Sequence, residues 1–183
     1  ENLFSHVDID LNNTFLPTCA EGESPRVQGL AYEQKIKQSG GVDLQILGIG
    51  ANGHIGFNEP TSSLSSRTRI KTLTQQTITD NSRLFKPEEK QPTMAMTMGI
   101  ATIMDARYVL LMATGVNKAN AVKAMITGGV SAMCPASALQ MHENAIVLLD
   151  KAAASELSDQ SYYQWADNEN RKLIEDFGYF HNY

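Results

Sequence analysis

The chain has 183 residues, of which 42% are hydrophobic and 19% charged, and its formal net charge is −5. This composition favours one domain, 1–183, with a buried core, and the acidic balance argues against nucleic acid or an anionic membrane as a partner. The sequence contains no apolar run of about 20 residues that could span a bilayer and no recognisable signal peptide. Its two cysteines, Cys19 and Cys134, are too few for a disulfide framework, so we expect reduced thiols and a cytoplasmic protein.

The predicted elements alternate between strands and helices. In chain order we predict loops at 5–24, a helix at 25–38, a strand at 43–47, a strand or extended segment at 68–74, a polar helix or lid at 75–85, a loop at 86–91, a strand at 93–98, a short helix at 99–105, a strand at 108–113, a helix at 117–127, a short helix at 135–141, a strand at 145–149 and a helix at 160–176. This order favours an α/β fold with an open, mostly parallel, Rossmann-like sheet flanked by helices. The unbroken apolar run 108–113 is typical of a strand covered on both faces.

The predicted strand 43–47 is followed by a glycine-rich turn that carries three polar side chains, Asn52, His54 and Glu59. In open α/β sheets, active sites form at the carboxyl ends of the strands. Histidine moves protons near neutral pH, and a nearby carboxylate orients the ring and stabilises its charged form. The turn therefore predicts a catalytic group in which Asn52 accompanies the pair of His54 and Glu59.

Two other kinds of site fit this turn less well. Residues 48–53 match the G-x-G-x-x-G pattern of dinucleotide-binding proteins, but Gly56 and Pro60 follow where that motif requires a helix. A metal site would need two more ligands, and the remaining histidines are not spaced to supply them: His6, His142 and His181. We therefore expect neither a bound cofactor nor a metal.

Basic and hydroxyl side chains elsewhere suggest sites for anions. Arg83 lies in the polar segment, and Lys118 lies in the first turn of the helix after strand 108–113. Backbone N–H groups at a helix start and a lysine suit a phosphate. The segment 62–72 is dense in hydroxyl and basic side chains and could hold a second anion. For each feature, a solvated surface charge or an exposed edge strand is the alternative interpretation.

Taken together, these segments resemble the glucosamine-6-phosphate deaminase family. The likeness runs from about Phe4 to Leu157. It rests on these segments: Gly50 to Pro60, 62–73, 81–83, 115–118 and 139–142. The resemblance implies a hydrolase of amino-sugar and carbohydrate metabolism, active in N-acetylglucosamine catabolism, that converts glucosamine 6-phosphate and water into fructose 6-phosphate and ammonia.

The resemblance also implies a role for each residue. His54 would open the pyranose ring by moving a proton between O5 and the C1 hydroxyl, with Glu59 as its partner carboxylate. Arg83 and Lys118 would clamp the phosphate. Asn52 occupies a position that is Asp in some members, and its uncharged amide should lower the pKa of the histidine relative to an Asp-bearing enzyme.

A second site is implied by the same resemblance. Ser62, Arg69, Lys71 and Thr72 match positions that form an allosteric site for N-acetylglucosamine 6-phosphate in the regulated, hexameric members. Two cations and two hydroxyls suit a phosphate. The resemblance thus implies an allosteric homo-oligomer, although the tail after Leu157 departs from the regulated members.

Two segments of the family pattern do not occur in these 183 residues. One is an upstream acidic segment whose Asp moves the proton between C2 and C1, and the other is a Gly/Thr-rich phosphate loop. The chain therefore resembles the C-terminal two thirds of the enzyme, truncated at the N-terminus, and we expect these residues alone not to complete the reaction. Two alternatives stay open: a 6-phosphogluconolactonase-like hydrolase and a non-catalytic sugar-phosphate sensing domain.

Overall fold

The structure is a computed structural model that describes residues 4–178. Its helices are α1 (Pro25–Gln38), α2 (Gln75–Asn81), α3 (Ile100–Met104), α4 (Ala119–Thr127) and α5 (Gln160–Phe177). Its strands are β1 (Leu44–Gly48), β2 (Arg69–Thr72), β3 (Met94–Thr97), β4 (Tyr108–Ala113) and β5 (Ala145–Leu149). Every predicted strand and helix is present within a few residues of its expected bounds. No helix between residues 4 and 178 is long and apolar enough to cross a membrane.

Several segments differ from the prediction because tighter 3-10 turns replace loop or α-helix. These turns are Phe4–His6, Leu11–Asn13, Ser82–Leu84, Val116–Lys118 and Pro135–Met141. The predicted helix 117–127 consequently begins with a 3-10 turn, and Lys118 lies immediately before α4 rather than within it. Such turns are common where a helix starts or ends without a side-chain cap.

The strands form two separate sheets. β1, β4 and β5 are parallel and lie in the order β1-β4-β5. In their register, Gly48 is paired with Met112, and Met112 with Leu148. The predicted parallel sheet is therefore confirmed, and the carboxyl ends of its three strands lie at one edge. β2 and β3 instead form an antiparallel pair.

The hydrophobic core lies on one face of the parallel sheet. Val109 and Leu111 of β4 are fully buried, together with Val122 and Met125 of α4. The apolar face of α4 thus covers β4, as the spacing of its hydrophobic residues indicates.

The opposite face of the parallel sheet is apolar and exposed among the described residues. Its side chains alternate with the core residues along each strand, and Ile46 is 55% and Leu148 52% exposed. The face, termed the open apolar face below, consists of Leu44, Ile46, Tyr108, Met112, Ile146 and Leu148. The expectation that strand 108–113 is covered on both faces is therefore wrong for residues 4–178, because the described helices bury only the other face.

Candidate active site

Two turns meet at the edge formed by the carboxyl ends of the parallel strands. The turn after β1 carries Asn52 and His54, and the turn after β4 carries Lys118. β1 and β4 are adjacent and in register, so their carboxyl ends bring these turns together. The charge of Lys118 is close enough to lower the pKa of His54.

Asn52 bonds to both members of the predicted catalytic pair. Its Oδ1 lies 2.8 Å from Nδ1 of His54, and its Nδ2 donates to Oε2 of Glu59 over 2.8 Å. Nδ1 of the imidazole is also 3.4 Å from the same Oε2. Because an amide oxygen only accepts, Nδ1 carries the proton of the neutral ring and Nε2 keeps its lone pair. The structure therefore brings together all three side chains predicted for the turn.

Burial and charge set the protonation of this group. Burial lowers the pKa of His54 below 6.5, the Glu59 charge opposes this, and the Lys118 charge reinforces it. Burial alone would raise the pKa of Glu59. Hydrogen bonds from Thr77, Asn52 and the Thr74 backbone outweigh this effect and, together with the charge of His54, lower the pKa below 4.5. Near neutral pH the group thus holds a neutral imidazole against a charged carboxylate, which suits general-base catalysis.

Glycine is required where the turn passes beneath the imidazole. A Cβ on Gly50 would lie 2.2 Å from Cε1 of His54, and a Cβ on Gly53 would lie 2.7 Å from Sγ of Cys134. Gly53 also has a φ of 84°, a conformation that other residues rarely adopt. Two glycines of the rejected dinucleotide pattern therefore allow close packing, Gly50 against the histidine and Gly53 against Cys134.

Asn58, the residue just before Glu59, fixes the turn to the rest of the fold. The buried Asn58 donates from Nδ2 to the carbonyls of Ile55 (3.0 Å) and Met98 (2.8 Å). Its Oδ1 accepts a hydrogen bond from Nη1 of Arg69 over 2.9 Å. Arg69 thus links β2 to the turn that carries His54.

The two predicted phosphate-binding residues have different surroundings. Lys118 is half-buried beside His54. The turn that carries it is fixed by Asp150, whose carboxylate oxygens accept from the Gly115 N–H at 3.0 and 3.1 Å. Arg83 is exposed on the 3-10 turn after α2. Within residues 4–178 it makes no hydrogen bond or ion pair to the His54 group, so a joint phosphate clamp stays a prediction.

Three of the four residues of the predicted second site lie on β2, but not on one face of it. The buried Ser62 hydroxyl has no hydrogen-bond partner among the described residues. Arg69 and Lys71 lie on the same side of β2, half-buried, whereas Thr72 points to the other side. Burial lowers the pKa of Arg69. Arg69 and Lys71 thus place two cations on one side of β2, and the contributions of Ser62 and Thr72 to an anion site stay predictions.

Metal binding receives no support from the residues described. Between residues 4 and 178, no three His, Cys, Asp or Glu side chains are grouped to hold a metal ion. His142, one of the histidines considered as a ligand, is hydrogen-bonded to the backbone through both ring nitrogens, to the Ala106 carbonyl (2.9 Å) and the Asn144 N–H (3.0 Å). Its role is structural.

Sequence reasoning missed Thr74, which donates to the Glu59 carboxylate from the start of α2, and Thr77, which helps to lower the pKa of that carboxyl group. A threonine before a helix is a common N-cap, and this signal was available in the sequence. The contact between Thr74 and Glu59, 15 residues apart, depends on the path of β2 back towards the turn that carries Glu59. No local pattern in the sequence indicates that path.

Comparisons with known proteins show which family this chain is similar to. A family model described as glucosamine-6-phosphate isomerases/6-phosphogluconolactonase matches residues 1–148. The glucosamine-6-phosphate deaminase of Colwellia psychrerythraea is 74% identical over 100% of this chain and 68% of its own length. The enzyme of the same name from Pseudoalteromonas translucida is 62% identical over 97% of this chain and 66% of its own length. The chain thus spans about two thirds of the length of these relatives; its C-terminal placement stays a prediction.

Solved structures show the same relationship. A monomeric glucosamine-6-phosphate deaminase is 42% identical with a TM-score of 0.79, over 84% of this chain and 63% of that one. A 6-phosphogluconolactonase from Trypanosoma cruzi is 20% identical with a TM-score of 0.55, over 76% of this chain and 55% of that one, and therefore shares the fold alone. The resemblance inferred from the sequence is confirmed, and this chain belongs to the glucosamine-6-phosphate deaminase family.

Proposed function

We propose that this chain carries the ring-opening site of an enzyme that converts glucosamine 6-phosphate and water into fructose 6-phosphate and ammonia. The observation that most supports the proposal is the hydrogen-bonded group of His54, Asn52 and Glu59 beside Lys118. The names of the relatives at 74% and 62% identity favour this reaction over lactone hydrolysis. No cofactor takes part in the proposed chemistry.

Ring opening follows from the protonation of His54. Nε2 accepts no hydrogen bond from any residue in the described part of the chain, so its lone pair is free to take the proton of the C1 hydroxyl. The protonated ring then gives a proton to O5 as the C1–O5 bond breaks and the C1 carbonyl forms. The Glu59 carboxylate stabilises the imidazolium between these transfers, and Asn52 keeps the Nδ1 proton in place.

The remaining steps convert the open aldose into the ketose. A proton moves from C2 to C1 through an enol-type intermediate, and the C2 nitrogen then leaves as ammonia while water supplies the new carbonyl oxygen. The resemblance to the family implies that an Asp of an upstream segment transfers the proton from C2 to C1. That segment does not occur in these 183 residues. We therefore expect the 183-residue polypeptide to open the ring without releasing ammonia, and normal release of fructose 6-phosphate would contradict this.

The substrate phosphate is assigned to Lys118, with Arg83 approaching from the segment after α2. Lys118 is half-buried at the turn beside His54, and its ammonium can bind a phosphate oxygen as a point charge. Arg83 is exposed and would need to move towards the turn, which a lid of seven helical residues between β2 and β3 could allow.

A second sugar phosphate, N-acetylglucosamine 6-phosphate, is proposed to bind at Ser62, Arg69, Lys71 and Thr72 as an allosteric activator of a homo-oligomer. The two cations on one side of β2, Arg69 and Lys71, support an anion site there. The 42% identical relative is described as monomeric, so oligomerisation is tested separately by light scattering. The cytoplasm is the proposed location, in keeping with two unpaired cysteines.

Binding distinguishes this function from its alternatives. In the 183-residue polypeptide, glucosamine 6-phosphate should shift the NMR signals of the His54 ring, and Lys118→Met should weaken binding about tenfold. Lys123→Met is the matched control, because Lys123 is exposed on α4 and pairs with Glu156. Hydrolysis of 6-phosphogluconolactone would instead support a lactonase. Binding without accelerated ring opening would support a sensing domain.

A further inference from the structure

The Glu59 carboxylate is held from two directions. Its Oε2 accepts from Nδ2 of Asn52 over 2.8 Å. Its Oε1 accepts from the Thr74 backbone N–H at 3.2 Å and from the Thr74 hydroxyl at 3.3 Å. Glu59 is only 2% exposed, so these donors replace the water that an ionised carboxylate requires.

Thr74 is also the N-cap of α2, and this second role brings in Thr77. The Thr74 hydroxyl accepts the N–H of Thr77 over 3.2 Å and lies 3.0 Å from the Thr77 hydroxyl. Thr77 is itself buried, and its hydroxyl is connected to Glu59 through the Thr74 hydroxyl, in keeping with its lowering of the Glu59 pKa. A short chain of hydroxyl groups therefore connects the start of α2 to the carboxylate.

We propose that Thr74 and Thr77 are positioning residues that fix the Glu59 carboxylate against His54 from the start of α2. The consequence for catalysis rests on the proposed function, whereas the contacts themselves do not. Helix α2 leads directly to Arg83, which is proposed to bind the substrate phosphate. The segment that carries Arg83 therefore begins at Thr74 and Thr77, the residues that hold the Glu59 carboxylate. A movement of this segment would change the distance between Glu59 and His54.

Other charged groups also act on the imidazole and must be separated from this effect. Lys118, on the turn before α4, lowers the pKa of His54. Asp80, on α2 itself, raises it, as does Glu59. A substitution that displaced α2 would also move Asp80 and so alter the pKa of His54, which is why a control substitution on the same helix is needed.

Titration of the 183-residue polypeptide without substrate tests the proposal. In Thr77→Val, carbon-13 NMR of the Glu59 carboxyl should show its pKa rising by about 1 relative to the wild type. The pKa of His54 should fall, because the carboxylate is no longer held close to the ring. Thr77→Ser, which retains the hydroxyl, should restore both values. Thr79→Val on the same helix should change neither, because the exposed Thr79 hydroxyl donates to the Gln75 carbonyl over 3.0 Å.

Two outcomes would overturn the proposal: unchanged pKa values in a folded Thr77→Val chain, or the same changes in Thr79→Val. If Thr77→Val fails to fold, a measurement on the wild type still tests the proposal. The Thr77 hydroxyl proton should exchange with water much more slowly than the Thr79 hydroxyl proton, and equally fast exchange would contradict the proposal. None of these readouts requires turnover, so a failure of the proposed enzymatic function would leave them unaffected.

Discussion

The imidazole of His54 lies against the α-carbon of Gly50, so closely that a methyl group there would lie 2.2 Å from Cε1 of the ring. The position therefore needs glycine for the sake of the neighbouring side chain. A Gly50→Ala chain should fold, but its imidazole should be displaced from Asn52. A displacement of about 1 Å can reduce catalysis about 100-fold.

The rate of ring opening measures this effect directly, and Gly48→Ala is the control. Gly48 ends β1, two residues before Gly50, and a Cβ there would meet no atom within 4 Å. We expect Gly48→Ala to retain the wild-type rate. Equal rates in Gly50→Ala and the wild type would show that the close contact has no catalytic importance.

The amide of Asn52 should keep the pKa of His54 low, and Asn52→Asp tests this. A carboxylate at this position would replace the donor to Oε2 of Glu59 with a like charge and add a second negative charge beside the imidazole. The pKa values of both His54 and Glu59 should therefore rise. NMR titration measures both, and an unchanged or lower pKa of His54 would contradict the assignment of the hydrogen bonds.

The low pKa of His54 also predicts how stability depends on pH. As the pH falls below 6.5, the unfolded chain binds a proton at this histidine while the folded chain does not, so the free energy of unfolding decreases until the folded pKa is reached. Glu59, whose pKa is lowered from 4.5, adds a loss in the same direction at more acidic pH.

Urea unfolding between pH 7.5 and pH 5 measures the contribution of the histidine. The wild type should lose more stability than His54→Gln over this interval, because the variant has no imidazole to protonate. Parallel curves for the two proteins would mean that the environment of His54 does not disfavour its charged form.

The open apolar face predicts the behaviour of the 183-residue polypeptide in solution. Parallel sheets are usually covered on both faces, and an apolar surface of this kind favours association. The polypeptide should bind the dye anilinonaphthalene sulfonate, and the double substitution of Ile46→Thr with Leu148→Thr should reduce its fluorescence. Ile70→Thr, at an exposed position on β2, is the control. Equal fluorescence in all three proteins would show that the face is covered.

Local signals in the sequence were sufficient to predict most elements. Helix α1 begins and ends close to its predicted bounds, because Pro25 marks its start and Gly40-Gly41 follow its end. The apolar run 108–113 coincides with β4. What local signals could not predict was which strands share a sheet: β2 pairs with β3 apart from the parallel sheet, through contacts between residues about 25 positions apart.

The candidate site shows the same limit. Asn52, His54 and Glu59 lie within eight residues, so their meeting could be predicted from the turn alone. The contact of Thr74 with Glu59 and that of Arg69 with Asn58 depend on the path of the chain between them. Neither contact follows from residue spacing. Both involve polar side chains, and the sequence alone is equally compatible with the exposure of such side chains to solvent.

The most direct test of the account is the rate at which the 183-residue polypeptide exchanges the two anomers of glucosamine 6-phosphate, measured by magnetisation-transfer NMR. Exchange requires ring opening, and it requires neither the movement of the C2 proton nor the release of ammonia. We predict a large acceleration by the wild type that is lost in His54→Gln and strongly reduced in Glu59→Gln. Exchange at the uncatalysed rate with the folded wild type, or undiminished exchange with His54→Gln, would contradict the assignment of His54 as the ring-opening base.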